Sequence, residues 1–322
     1  MLTLRAQDAS LLVAPESGGA IAGWARGPVR LLRMPLTDAV LRGDVHGMAC
    51  FPLLPYANRI GHARFPWAGK TWHLRPFPGH PNALHGVGWK RPWDIAALSE
   101  ASVRLTLAHD PAGPEGPIDW PFAFTATEEI VLERDRCRIT LSITNRHAEP
   151  APAGLGVHPY FPAPGAALQF QAAAVWENDS TNLPQTRIAI PPAWDHSSGR
   201  PIGDVALDNC FVGWRQPAVL RWPTHTLTLT ADPMFDHLQV YTPPGQPFFG
   251  ARAGGDSGRG DHTRHYLIVT HGDVSVRGKR FPFVSPPRIV PGSSPAGRSR
   301  TPCSGHGSMP SSTSWGKTRA GR

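Results

Sequence analysis

Arg138-Ile139-Thr140-Leu141-Ser142-Ile143-Thr144-Asn145 sets the fold class. Ile139, Leu141 and Ile143 fall on every second residue, which places them on one face of a strand and leaves the polar residues on the other. Just upstream, Glu129-Ile130-Val131-Leu132-Glu133 is a β-rich run, and Arg134-Asp135-Arg136 offers a turn through which the two runs pair. The same two-residue period recurs in Val103-Arg104-Leu105-Thr106-Leu107 and in Thr226-Leu227-Thr228-Leu229-Thr230, and Leu238-Gln239-Val240-Tyr241-Thr242 is a further β-rich run. The chain's 36 prolines are scattered between such runs, where they end helices and suit edges and loops. No stretch carries a long, capped 3.6-residue period. Many short alternating strands joined by Pro/Gly loops predict an all-β protein, a large antiparallel β-sandwich of about 250 residues.

The formal net charge of +8 suggests an anionic partner until its distribution is read. From Ala251 to Arg322 there are twelve Lys/Arg, three Asp and no Glu, which leaves 20 basic and 21 acidic residues in 1–250. The body is neutral and the excess lies in the tail, which argues against nucleic acid as the partner. Residues 251–322 are rich in Gly, Arg, Ser and Pro, with pieces such as Pro291-Gly292-Ser293-Ser294-Pro295. They are expected to form a poorly packed or disordered tail beyond a sandwich domain of 1–250. Cys50, Cys137, Cys210 and Cys303 are far apart and match neither a disulfide framework nor a zinc site. The N-terminus has no continuous apolar segment and no membrane-spanning run follows, so a soluble, cytoplasmic protein without membrane contact is expected.

Four clusters carry the candidate chemistry. Asn58-Arg59-Ile60-Gly61 presents a guanidinium fork suited to hydroxyl or ring oxygens. His85 lies in Asn82-Ala83-Leu84-His85-Gly86-Val87-Gly88-Trp89, with Trp93 near, and His158 lies in Val157-His158-Pro159-Tyr160-Phe161. Leu207-Asp208-Asn209-Cys210-Phe211 offers a carboxylate to accept from adjacent sugar hydroxyls and Phe211 as an apolar floor. Each has a plainer reading: a turn-capping arginine, two satisfied core histidines, an Asp-Asn turn. Eleven tryptophans allow stacking on pyranose faces, although most are expected in the core. No phosphate-binding glycine loop and no His-Glu-x-x-His pattern occurs, and no carboxylate is spaced to join His85 and His158 around a metal.

Taken in order, these clusters together with Gln239-Val240-Tyr241-Thr242-Pro243-Pro244-Gly245 resemble the aldose 1-epimerase (galactose mutarotase) family, from about Trp24 to Phe249. The resemblance implies a sugar cleft on one sheet and interconversion of the α and β anomers of a free aldohexose. A base takes the anomeric hydroxyl proton, an acid protonates the ring oxygen, the C1–O5 bond opens, and the aldehyde turns and recloses. No metal or cofactor is implied, since no net electron or group is transferred. Carried over, His158 is the general acid, which a side chain of unperturbed pKa about 6.5 suits near neutral pH. His85 hydrogen-bonds the sugar near its ring oxygen, Arg59 positions the anomeric end, Asp208 binds hydroxyls on the far side, and Gln239 adds a polar contact. The expected assembly is a monomer or weak dimer.

One segment departs from the pattern. The family's general base is a glutamate in a segment that runs approximately Phe-Phe-Cys-Val-Glu-Pro-Val, and here the chain has Phe248-Phe249-Gly250-Ala251-Arg252-Ala253-Gly254 with no Glu after it. If the codons from Arg252 are CGA-GCC-GGT-G, reading from the second base gives Glu-Pro-Val, so a change of reading frame near Gly250 accounts for the lost glutamate and the basic tail; resequencing this region decides it. The C-terminal strands are expected to be altered or missing. Two other functions stay open: a hexose-6-phosphate 1-epimerase, with Arg64, Lys70 and Arg75 available for the phosphate, and a non-catalytic sugar-binding sandwich, which the absent glutamate favours.

Overall fold

A computed structural model describes residues 1–254 apart from 36–37, 115, 204 and 233–234. The expectations for the tail beyond Gly254 lie outside the described residues. All the described residues belong to one compact unit. They form a large antiparallel β-sandwich in which the one α-helix, Ala39–Arg42, is a single turn.

The expected hairpin across Arg134-Asp135-Arg136 is present. Phe124–Leu132 pairs with Cys137–Asn145 from Phe124–Asn145 to Leu132–Cys137, and Ser102–His109 pairs on the other side of Phe124–Leu132. Alternation sends Val103, Leu105, Ala126, Ile130, Ile139 and Leu141 into the core together with Leu4, Leu11, Val13 and Trp24 from the N-terminal sheet. Strictly obeyed, the same alternation also carries the Glu128 carboxyl inward between Ala126 and Ile130, where it is 1% exposed.

The sheet that positions the site has six strands. In spatial order they are Tyr160–Pro162, Phe248–Gly254, His237–Thr242, Leu207–Val212, Ala174–Asn178 and Pro184–Ile188. Its register pairs Tyr160 with Gly250, Gly250 with Tyr241, Tyr241 with Asp208, and Arg252 with Gln239. Directly paired residues share a face, and neighbours along a strand take opposite faces. Tyr160, Gly250, Arg252, Gln239, Tyr241 and Asp208 therefore share one face. Phe161, Phe249, Ala251, Leu238, Val240 and Phe211 occupy the other and are fully buried. That apolar face packs on the sheet containing Ala167–Gln171 and Arg215–Arg221, with the Phe211 and Phe170 rings edge to face at 4.9 Å.

Two findings change the sequence reading. Phe211 is not a floor for a ligand: it lies three residues from Asp208 on the same strand, so its ring points into the core. The strand Phe248–Gly254 also continues through Gly250 and pairs with His237–Thr242 as far as Gly254, so the sheet crosses the domain limit drawn at residue 250.

Candidate functional site

Local backbone geometry fixes His85. It ends the short strand Ala83–Leu84, which pairs with Arg59–Ile60, and then turns sharply: His85 has φ +61° and Gly86 φ +70°. Gly86 is required there because a Cβ would lie 2.2 Å from the Leu54 carbonyl oxygen. The turn brings His85 against Asn58, itself at φ +64°. The His85 N–H donates to the Asn58 carbonyl at 2.9 Å, and the Asn58 N–H donates to His85 Nδ1 at 3.0 Å. A ring nitrogen that accepts from an amide carries no proton, so in the neutral ring Nε2 holds it. Burial, with the nearby cations Arg252 and Arg59 adding to it, holds the His85 pKa well below the ordinary histidine value. His85 is thus a neutral ring with Nε2–H as its donor.

His158 follows the short strand Gly156–Val157, and its N–H donates to the Phe51 carbonyl at 2.9 Å. The ring stacks on Tyr160 at 4.5 Å, lies 5.1 Å from the Phe51 ring, and meets His85 edge to face at 5.5 Å. Its Nδ1 is buried with no hydrogen-bond partner among the described residues. Burial first, then Arg252, His85 and Arg33, hold its pKa well below the ordinary value. The expectation that His158 exchanges a proton near neutral pH rested on an unperturbed value, and this environment corrects it: the ring is neutral at pH 7.

On the shared sheet face, Asp208 Oδ2 accepts from Arg59 Nη2 at 3.0 Å, and Oδ1 accepts from Gln239 Nε2 at 2.8 Å. Asn58 closes the chain of contacts. Its Oδ1 accepts from Arg59 at 3.2 Å, and its Nδ2 donates to Gln239 Oε1 at 3.5 Å. All five residues singled out in the sequence are brought together. Arg59 and Asp208 form one ion-paired wall, so they do not stand at opposite ends of a ligand as the sequence reading placed them. Arg75, by contrast, pairs with Asp119 at 2.7 Å, and the Lys70 ammonium sits 4.0 Å over the Trp72 ring.

Three further residues, given no role in the site by the sequence alone, belong to it. Asn58 was quoted only as part of a motif, yet it links Arg59, Gln239 and His85. Arg33 donates to the Met48 and His46 carbonyls, with its guanidinium 3.8 Å over the Tyr160 ring that stacks on His158. Its one signal was a lone charge in the apolar run Leu31-Leu32-Arg33-Met34. Arg252 stands opposite Gln239 and is 6% exposed. It occupies the position at which the expected segment Phe-Phe-Cys-Val-Glu-Pro-Val has its glutamate.

Among the described residues no group of three or more His, Cys, Asp or Glu is placed to hold a metal ion. The arrangement presents an Nε2–H donor, a hydrogen-bonded carboxylate, amides and guanidinium forks around two stacked aromatic rings, which is the donor set of a hydroxyl-rich ligand.

A model of the aldose 1-epimerase family matches residues 1–273. The uncharacterized protein YphB of Escherichia coli K12 is 30% identical over 237 residues, which is 73% of this chain and 75% of YphB. The aldose 1-epimerase of the same organism is 30% identical over 176 residues, covering 50% of this chain and 47%, about half, of that enzyme. Among solved structures, a candidate aldose 1-epimerase from E. coli K12 superposes with a TM-score of 0.72 at 27% identity, covering 84% of this chain and 94% of that one. A galactose mutarotase-like protein from Clostridium acetobutylicum has the same fold, with a TM-score of 0.69 at 16% identity over 78% of this chain and 83% of its own.

Proposed function

Since the chain belongs to the aldose 1-epimerase family, we propose that its cleft binds a free aldohexose in the pyranose form and interconverts its anomers slowly. The observation that carries this reading is the unbroken set of contacts Arg59–Asp208–Gln239–Asn58–His85, set edge to face on His158. In it, His85 Nε2–H donates to the sugar beside the ring oxygen, and Asp208, Arg59 and Gln239 bind hydroxyls. His158, when protonated to the imidazolium, gives a proton to the ring oxygen as the C1–O5 bond opens, and the anomeric hydroxyl yields its proton to solvent water. The aldehyde rotates about C1–C2 and recloses with both transfers reversed.

Arg252 weakens both halves of that reaction. A guanidinium stays protonated and cannot accept the anomeric proton. Its charge also opposes the imidazolium that a ring-oxygen acid must be, since a neutral imidazole is a very weak acid. General acid and base groups contribute about 10²–10⁴-fold each, so the rate falls far below that of a site with both. A second reading, a sugar-binding sandwich without catalysis, is favoured by the same residue. The hexose-6-phosphate reading draws less support, because Lys70 and Arg75 are engaged elsewhere.

In this proposal the partner is a small sugar and no cofactor takes part. The chain acts in the cytoplasm as a monomer or weak dimer; among the described residues no helix is long and apolar enough to cross a membrane. Titration calorimetry with D-galactose and D-glucose tests the cleft. Binding that disappears in Asp208→Ala and weakens in His85→Ala is expected, and a folded wild-type chain that binds neither sugar rejects the reading.

A further inference from the structure

Among the described residues Arg252 is a buried cation with no ion pair. Among the described residues the carboxylate that faces it is Asp208, which attracts it at longer range, but both Asp208 oxygens are already engaged by Arg59 and Gln239. The other groups around it do not compensate. His85 and His158 are neutral, burial keeps the Tyr160 and Tyr241 hydroxyls protonated, and Arg33 adds a further positive charge behind the Tyr160 ring. Among the described residues the site therefore holds two guanidiniums, Arg59 and Arg252, against the one carboxylate of Asp208. Burying an uncompensated charge is costly, and a ligand that supplies the missing anion relieves the cost. A neutral hexose offers Arg252 only hydroxyl dipoles.

We propose that the cleft takes a hexuronate, an aldopyranose bearing a carboxylate at C6, with that carboxylate on Arg252. This rests on the reading of the cleft as a pyranose site. Gly250, two residues before Arg252 on the same sheet face, lies beside the His158 ring, whose Cε1 is 3.5 Å from where a Gly250 Cβ would stand, so Arg252 is on the histidines' side of the site. The carboxylate of a hexuronate is bonded to C5, the neighbour of the ring oxygen. One pose, turned from that of a reacting hexose so that C5 rather than the anomeric carbon lies at Arg252, sets the ring oxygen at the histidines and the carboxylate at Arg252, with the remaining hydroxyls towards Asp208 and Gln239. A carboxylate fits better than a phosphate: one planar guanidinium fork matches one planar carboxylate, and the second guanidinium that a dianion needs, Arg59, is already paired with Asp208.

Titration calorimetry of the full chain with D-galactose, D-galacturonate, D-glucuronate and glucose 6-phosphate tests this. A hexuronate is expected to bind about tenfold or more tighter than the matching neutral hexose, as a charge-assisted pair in a buried site would give. In Arg252→Gln the preference of a hexuronate over the matching neutral hexose disappears, with circular dichroism reporting that the variant is folded. Equal or tighter binding of the neutral hexose overturns the inference and leaves the pyranose cleft standing. Tightest binding by glucose 6-phosphate, or a preference that survives in folded Arg252→Gln, also overturns it. A folded wild-type chain that binds none of the four sugars removes the cleft reading itself; the comparison between wild-type ligands decides the matter even if the variant does not fold.

Discussion

The Asn58 N–H donates to His85 Nδ1 while the His85 N–H donates back to the Asn58 carbonyl. This reciprocal pair links the arginine-bearing strand to the histidine turn and leaves His85 one tautomer. Long-range ¹⁵N–¹H NMR is expected to show His85 as the neutral Nε2–H form at pH 6.5 and above. An Nδ1–H signal would contradict the geometry.

Gly86 holds that turn in place. With φ at +70° and the Leu54 carbonyl oxygen 2.2 Å from where a Cβ would stand, Gly86→Ala meets both a disfavoured conformation and backbone overlap. The expected loss of stability is about 3 kcal/mol or more, the size reserved for backbone strain combined with overpacking. Urea unfolding measures it. A change under about 1 kcal/mol would mean that the turn is not the constraint described.

The Arg59–Asp208 pair is mostly buried, and Asp208 is also the carboxylate that offsets Arg252. Asp208→Asn keeps the shape and removes the charge, which leaves two guanidiniums facing neutral groups. A loss of about 1–3 kcal/mol on unfolding is expected, from a charged hydrogen bond broken on one side. Arg252→Gln in the same background should restore part of the loss, as a double-mutant cycle reads directly.

Two sets of buried groups tilt stability in opposite directions with pH. His85 and His158 have folded pKa values well below 6.5. As pH falls through 6.5, the unfolded chain takes up protons that the folded chain refuses, so stability present above 6.5 is lost towards the folded values. Glu128 has a folded pKa raised well above 4.5 by burial. Its contribution is present below 4.5 and is lost as pH rises towards the folded value, because the unfolded chain ionises first. Glu128→Gln should flatten the fall above pH 4.5 and leave the acid-side fall unchanged. Denaturation midpoints across pH 4–8 test both signs, and an unaltered profile in Glu128→Gln would remove Glu128 from the account.

Much of this was legible in the chain because the two-residue period is a local property. The strands at 102–109, 137–145 and 226–229 follow from it, and those at 124–132 and 237–242 were marked by β-rich runs. The candidate cluster was assembled from short local motifs and from the family resemblance that they carry in order. Phe211 was misjudged although the same period separates it from Asp208, three positions away and hence on the opposite face. Glu128 was equally visible as a charge on the apolar register of its strand. Arg252 could be read as an intruder but not as a buried one, because its surroundings come from strands far apart in sequence. The lowered histidine values have the same origin: they depend on burial and on Arg33, Arg59 and Arg252, brought together by pairings that span most of the described chain. A change of reading frame concerns the gene, and apart from 251–254 the tail it would explain lies outside the described residues.

The proposed slow catalysis follows from Arg252 standing at the place of the glutamate in the family's segment. Polarimetry of freshly dissolved α-D-galactose with the wild-type chain and with Arg252→Glu tests this most directly. The predicted result is a wild-type rate close to the spontaneous one and an acceleration of about 10²-fold or more in Arg252→Glu, which supplies a carboxylate and raises the His158 pKa. Wild-type catalysis that is fast and is lost on this substitution, or a folded, galactose-binding Arg252→Glu chain no faster than wild type, would contradict it.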